Sequence, residues 1–171
     1  DLAQRLPTIT FLSVGGEPQD GAHLQVQADA RSLDNLVLTG FMPNANLPLY
    51  QAACDALLMP YQEQVAASSG GNIARYLSPM KLFEYLACQR VIISSDLPVL
   101  REVLNEGNAI LLPPTEIDAW AETIKRVESD PLIYSSIAAQ ARQDASRFTW
   151  ESRAARILEG ITLPASNEFG G

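Results

Sequence analysis

Short, nearly continuous apolar runs recur along the chain at residues 9–14, 36–39, 56–59, 91–94 and 109–112, and turn chemistry such as Gly15, Gly40, Pro60 and Pro113 follows them. Runs of this kind are how strands covered on both faces read. Between them lie helical periods. Residues 47–53 place Leu49, Ala52 and Ala53 on one stripe, residues 81–88 place Leu82, Phe83, Leu86 and Ala87, and residues 98–104 place Leu100, Val103 and Leu104. Strand and helix therefore alternate, which predicts right-handed crossovers and an α/β fold: a Rossmann-like open parallel sheet with helices on both faces. Beyond Pro114 the period is helical only, over 116–128, 131–147 and about 149–161, with Trp120 and Trp150 on apolar stripes expected to face the core. Residues 163–171 have the composition of a frayed tail.

Composition narrows the class. The 171 residues carry 12 basic and 20 acidic side chains, a net charge of −8, with 47% hydrophobic and 19% charged residues. This is the composition of one globular domain, occasionally two small ones. It lacks the basic footprint of a nucleic-acid binder. No stretch approaches the roughly 20 apolar residues of a membrane span, and the first residues carry no signal-peptide pattern, so the expectation is a cytoplasmic domain. Cys54 and Cys88 sit in apolar segments and read as buried free thiols. The single His23 leaves no multi-histidine metal centre, and none is expected. A β-rich run begins only a few residues from the start, which suggests a fragment of something longer.

Two features carry candidate chemistry. Residues 61–77 form a polar, Ser- and Gly-rich connection after a strand, at the edge where open α/β sheets bind ligands. The run Ser78-Pro79-Met80-Lys81-Leu82-Phe83-Glu84-Tyr85 follows it directly. Ser78 suits an N-cap and Pro79 a first helical position, which leaves free N–H groups on Met80, Lys81 and Leu82. Those amides, the helix dipole and the Lys81 ammonium make an anion site fit for a phosphate or diphosphate. Glu84, three residues on, can accept two hydrogen bonds from a vicinal diol such as a ribose. Phosphate and ribose together indicate a nucleotide. The alternative is a simply capped helix with Lys81 and Glu84 as an ordinary surface pair.

Residues 78–104, SPMKLFEYLACQRVIISSDLPVLREVL, resemble the donor-binding signature in the C-terminal half of GT-B glycosyltransferases of the large retaining family called group 1. The runs FLSVGGEP and NLVLTGFMPNANLPLYQAACDALLMPY, and the start FTWE of the last helix, extend the similarity over most of the chain. The resemblance implies a donor-binding domain over 1–162, the C-terminal half of a GT-B fold lacking its first strand, which belongs in the centre of the sheet. It implies a nucleotide-sugar (UDP-, GDP- or ADP-sugar) as substrate, no cofactor or metal, and a separate N-terminal acceptor-binding half as partner. That missing half is expected to bring the protein to the inner face of the membrane.

By the same resemblance Glu84 matches the second glutamate of a Glu-x7-Glu motif and binds the ribose, while Ser78 to Leu82 cradle the diphosphate. The first glutamate of that motif is Tyr76 here, a departure that weakens inference about the sugar more than about the nucleotide. Gly40, Phe41 and Met42 match the turn beside the nucleobase, although Phe41 could equally staple the following helix. Arg75 and Tyr76 are sugar-facing or lid candidates, with Arg75 otherwise a solvated loop charge. Asp96 reads as an N-cap and Glu102 as a structural ion pair.

The activity implied is transfer of a sugar with retention at the anomeric carbon, the helix-terminal amides and Lys81 stabilising the departing diphosphate. No catalytic residue is assigned within this chain, which is expected to be inactive alone. A non-catalytic α/β module that binds a nucleotide or a partner protein is the competing class.

Overall fold

The computed structural model of the protein describes residues 1–62 and 80–160. A short helix α1 (Leu2–Arg5) precedes β1 (Phe11–Ser13), α2 (Pro18–Ala30), β2 (Leu36–Leu38), α3 (Leu47–Ala53), β3 (Ala56–Met59), α4 (Met80–Ala87), β4 (Val91–Ser95), β5 (Ile110–Leu112), α5 (Ile117–Ser129), α6 (Ser135–Ala145) and α7 (Trp150–Gly160). Every strand pair is parallel: Phe11 lies opposite Leu36, Ala56 opposite Val91, and Ile93 opposite Ile110. Helices cover both faces, so the predicted Rossmann-like α/β architecture is the observed one.

The sheet is built around β4, all five of whose residues are buried. Its side chains alternate between two layers, as the period of a strand requires. Ile92 packs with Met59, Leu82 and Leu86 of α4, Leu97, Leu100, Leu104 and Ala141 of α6. Val91 and Ile93 face the other way, onto Leu6, Trp120, Ala121, Ile124, Val127 and Ala138. The spacing of Trp120, Ile124 and Val127 is the apolar stripe read from the sequence for α5.

The hydrogen-bonded ladders are two, β1–β2 and β3–β4–β5, rather than the single open sheet predicted. Phe11 of β1 shares a cluster with Ala56 and Leu58 of β3, and no residue of β2 does, so β1 is the strand that faces the second ladder.

Two expectations are corrected, and one helix that no pattern announced is added. Residues 98–104 are successive turns, not a helix: Arg101 N donates to Leu97 O, and Val103 N and Leu104 N both donate to Leu100 O, so isolated turns close without joining into a continuous ladder. Leu97, Leu100 and Leu104, at helical spacing, are nonetheless all buried in the core. Residues 18–30, which show no apolar stripe, are nonetheless helical. Pro18 opens α2 at a position that suits it, and only Ala28 is buried, so this helix has no amphipathic signature to read. Trp150 is 73% exposed whereas Trp120 is 3% exposed. The α7 helix is joined to the body at the turn Ser146–Phe148, where Ser152 Oγ donates to Ser146 O at 3.2 Å, and Arg153 lies 5.7 Å over the Trp150 ring. Its apolar stripe therefore faces outward.

A buried polar link fastens the long β4–β5 connection to α6. Asn108 donates to Asp144 Oδ2 at 2.9 Å and to Val103 O at 3.1 Å, while Gln140 donates to the second Asp144 oxygen at 3.1 Å. The expected tail, 163–171, lies outside the described residues.

Truncating Leu100→Ala at the centre of one layer is expected to destabilise the fold by roughly 2–5 kcal/mol, whereas Leu49→Ala on the exposed face of α3 should change it by about 0.5 kcal/mol or less. Urea unfolding of the two variants checks the contrast.

Candidate functional site

Parallel strands put all their carboxyl ends on one edge, and loops that follow them gather there. On this edge lie Gly40 to Met42 after β2, Tyr61 after β3, the start of α4, and Asp96 after β4. The α4 helix is held with its N-terminus at that edge by its apolar residues and by its far end. Leu82 and Leu86 are buried in the core, Phe83 meets Phe148 at 5.3 Å between ring centres, and Arg142 of α6 donates to Ala87 O at 3.0 Å. An arginine at the C-terminus satisfies an unpaired carbonyl and complements the negative end of the dipole. The positive end of the dipole points toward the ligand edge. Ser78, Pro79, Arg75 and Tyr76 lie outside the described residues.

Lys81 and Glu84 do not pair with one another among the described residues, so the surface-pair alternative is not realised. The Lys81 ammonium stands 5.0 Å over the Tyr61 ring, a cation–π contact that holds the charge near the end of β3. Glu84 accepts a hydrogen bond at 3.0 Å from Gln51 of α3. Gln51 in turn accepts from the Cys88 thiol at 3.1 Å. Leu82 is buried in the core, so only its backbone can serve a ligand, while the Met80 side chain is exposed.

Gly40, Phe41 and Met42 form a second part of the edge. Gly40 has φ +67° and its carbonyl accepts from Gly15 N at 2.9 Å, so the turn after β2 is tied to the turn after β1. That φ is why glycine stands there. Phe41 is 78% exposed, which excludes the staple against α3. Met42 Sδ accepts from Asn46 at 3.7 Å, in the turn that opens α3. Thus α3 bridges the edge, with Asn46 on Met42 at one end and Gln51 on Glu84 at the other.

Asp96 caps no helix, because the segment after it is not helical. It forms a two-pronged ion pair with Arg101, whose other arm meets Glu106 at 2.9 Å. The Arg101 hydrogen bond holds the Asp96 carboxyl below the usual carboxylate range. Glu102, expected in an ion pair, has none among the described residues; its neighbour Arg101 makes the pair. Both cysteines are free and half-buried. Burial, followed by the charge of Asp55, pushes the Cys54 thiol up; burial, followed by Glu84, does the same for Cys88. Among the described residues no three His, Cys, Asp or Glu side chains gather as a metal site would require. No described helix is long and apolar enough to cross a membrane.

A shallow cavity of about 590 Å³, lined by Arg5, Thr8, Lys125 and Arg126 among others, opens at the opposite edge, where α5 ends and β1 has not begun. Its cations Lys125 and Arg126 stand toward the C-terminus of α5, where they complement the helix dipole. The carboxyl edge is the one where open α/β sheets bind ligands, which makes it the better candidate.

Sequence reasoning missed Tyr61, Gln51, Cys88 and Arg142. An aromatic after a strand was visible as a type, but no spacing links Gln51 to Glu84 or Arg142 to Ala87.

The parallel strands with helices on both faces form a Rossmann-like α/β domain of the GT-B kind. A family model for the group 1 glycosyl transferases matches residues 1–130, and the chain belongs to that family: it is a glycosyltransferase sequence. It is 30% identical over 132 residues to the 2-deoxystreptamine glucosyltransferase of Streptomyces kanamyceticus, covering 77% of this chain and 31% of that protein. The chain thus spans about a third of that relative. The HepE protein of Anabaena, solved with UDP, superposes with a TM-score of 0.71 at 23% identity over 94% of this chain and 43% of its own. The C-terminal domain of a group 1 family protein, LpcC of Francisella tularensis, superposes with a TM-score of 0.62 at 16% identity over 86% of this chain and 76% of that domain.

Burial, with Tyr61, Cys54, Glu84 and Cys88 adding to it, pushes the Tyr85 phenol up to about 12. A folded-state value above the unfolded value of about 10 stabilises the protein fully below about pH 10, and that contribution is lost as pH rises through the folded value. Ultraviolet titration of the tyrosinate band should show one late step, absent in Tyr85→Phe.

Proposed function

We propose that this chain is the donor-binding, C-terminal half of a retaining glycosyltransferase, its domain running over 1–162 with 163–171 as a tail. The observation that carries the reading is the pairing of Lys81, over Tyr61 at the helix start, with Glu84 one turn on, at the carboxyl edge of a parallel sheet. In this reading the amides of Met80, Lys81 and Leu82, with Ser78 and Pro79 before them, hold the diphosphate of a nucleotide-sugar. The Glu84 carboxylate accepts from the ribose hydroxyls, and Gly40, Phe41 and Met42 flank the base. The exposed Phe41 ring is free to stack on it. Arg75 and Tyr76 face the sugar.

The chemistry asked of this half is stabilisation of the diphosphate as the bond to the anomeric carbon breaks. Oriented amides, a helix dipole and a fixed ammonium do this without rearranging at the moment of reaction. Lys81 is the one described cation at the start of α4, and its contact with Tyr61 limits where it can go. The acceptor is held by an N-terminal half, and the remaining positive charges follow the domain's own first strand, so the chain alone binds nucleotide weakly and transfers nothing. UDP bound to HepE supports a nucleotide-sugar as the donor class, with UDP-, GDP- and ADP-sugars as the candidates. The match to the LpcC domain supports the C-terminal placement. The break between β1 and β3 supports a further central strand. The two free thiols are in keeping with a cytoplasmic location, at the inner face of the membrane.

Titration calorimetry with the three diphosphates tests this. One of them should bind saturably, with Lys81→Ala and Glu84→Ala each weakening it by about tenfold or more. Saturable binding of none would overturn the donor reading in favour of a module that docks another protein.

A further inference from the structure

Glu84 is exposed at the end of a flexible side chain, and an exposed carboxylate loses rotamer freedom when it binds a diol. Here it does not stand alone. Gln51 Nε2 donates to Glu84 Oε2 at 3.0 Å, and Gln51 Oε1 accepts from Cys88 Sγ at 3.1 Å. The Cys88 sulfur also lies 3.2 Å from the Glu84 carbonyl oxygen, four residues back on the same helix. A carboxylate only accepts, so the amide must turn its NH2 to Glu84 and its oxygen to the thiol. The three side chains therefore admit one orientation of the amide. The same end of α3 is held by a second contact, since Arg90 donates to Ala52 O at 2.6 Å.

We propose that Gln51 is a positioning residue for the nucleotide's ribose: it holds the Glu84 carboxylate in its diol-accepting orientation, and Cys88 sets the direction of the Gln51 amide. This assignment rests on the reading of Glu84 as the ribose acceptor. Gln51 occupies one lone-pair direction of Oε2 and leaves Oε1 and the remaining direction for two vicinal hydroxyls. Order imposed before the ligand arrives lowers the entropy lost on binding. The thiol serves as a donor because it stays protonated: its burial and the nearby Glu84 charge both oppose the thiolate. Cys88 is thus a structural donor and a poor nucleophile. Because α3 also touches Met42 through Asn46, the same helix couples the ribose acceptor to the turn assigned to the base.

The inference is tested on the full-length protein by measuring the affinities of uridine, guanosine and adenosine diphosphates beside their 2′,3′-dideoxy counterparts. The preference for the ribose form is the readout, and binding of the dideoxy form reports that each variant is folded. Glu84→Gln should reduce the preference about tenfold or more. Gln51→Ala should reduce it about three- to tenfold with the dideoxy affinity unchanged. Gln51→Glu, which keeps an acceptor for the thiol but sets a like charge beside Glu84, should reduce it further, and Cys88→Ala should reduce it least. If Glu84→Gln erodes the preference while Gln51→Ala leaves it intact, or weakens both forms equally, the positioning role is overturned and the ribose reading stands. If the unaltered protein shows no preference for the ribose form, the ribose reading itself is overturned, and the positioning role falls with it.

Discussion

Burial of β4 on both faces is the constraint on which the rest of the structure depends. A strand with no solvent side must have apolar partners above and below, and its neighbours must run parallel because each crossover lays a helix on one face. Val91 and Ile93 supply one layer and Ile92 the other. Once these three side chains are placed, α4 is drawn to one layer and α5 to the other, with α6 adding Ala141 to the first and Ala138 to the second, and the strand ends fall on one edge. Ser94 and Ser95, also fully buried, mark where the apolar run stops and the ligand edge begins.

The edge owes its chemistry to the direction of α4. A helix packed by Leu82 and Leu86 against a parallel sheet runs antiparallel to the strands, which presents its amide end where the strands end. Arg142 satisfies the opposite end, so the polarity of the helix is complemented at both termini by different parts of the chain. In a protein of net charge −8, an anion is attracted only where positive potential is local, and at the start of α4 the Lys81 ammonium and the positive end of the dipole add. Tyr61 holds the single ammonium there without neutralising it. A carboxylate in that place would have cancelled the charge, which is why the absence of a Lys81–Glu84 pair among the described residues matters.

The α3 helix is short, has no buried residue of its own, and would look dispensable from its packing. Its polar contacts give it a role. Through Asn46 and Gln51 it connects the turn after β2 to α4, and through Ala52 it accepts from Arg90 at the start of β4. Parts of the edge that come from separate crossovers are thereby held by hydrogen bonds at exposed or half-exposed positions. Such bonds contribute little stability each but restrict geometry, and geometry is what a binding edge requires.

Much of the fold was legible in the sequence because a strand covered on both faces and an amphipathic helix each leave a local period. The five strands and the stripes of α4 and α5 were all read that way, and the motif from Ser78 to Tyr85 pointed to Lys81 and Glu84 by type and spacing. Where no period exists or where it misleads, the sequence was silent or wrong. The α2 helix buries one alanine and so shows no stripe; residues 98–104 have a helical period but close as isolated turns; Trp150 lies on a stripe that nothing covers. The sequence by itself determined the α/β class and, through the alternation of strand and helix, the parallel direction of the strands. Only the tertiary structure decided that Lys81 meets Tyr61, that Glu84 meets Gln51 and not Lys81, and that the ladder divides between β1 and β3. Those contacts join residues far apart in the chain, and a side chain's partner across such a distance is set by how the layers pack, which no local pattern records.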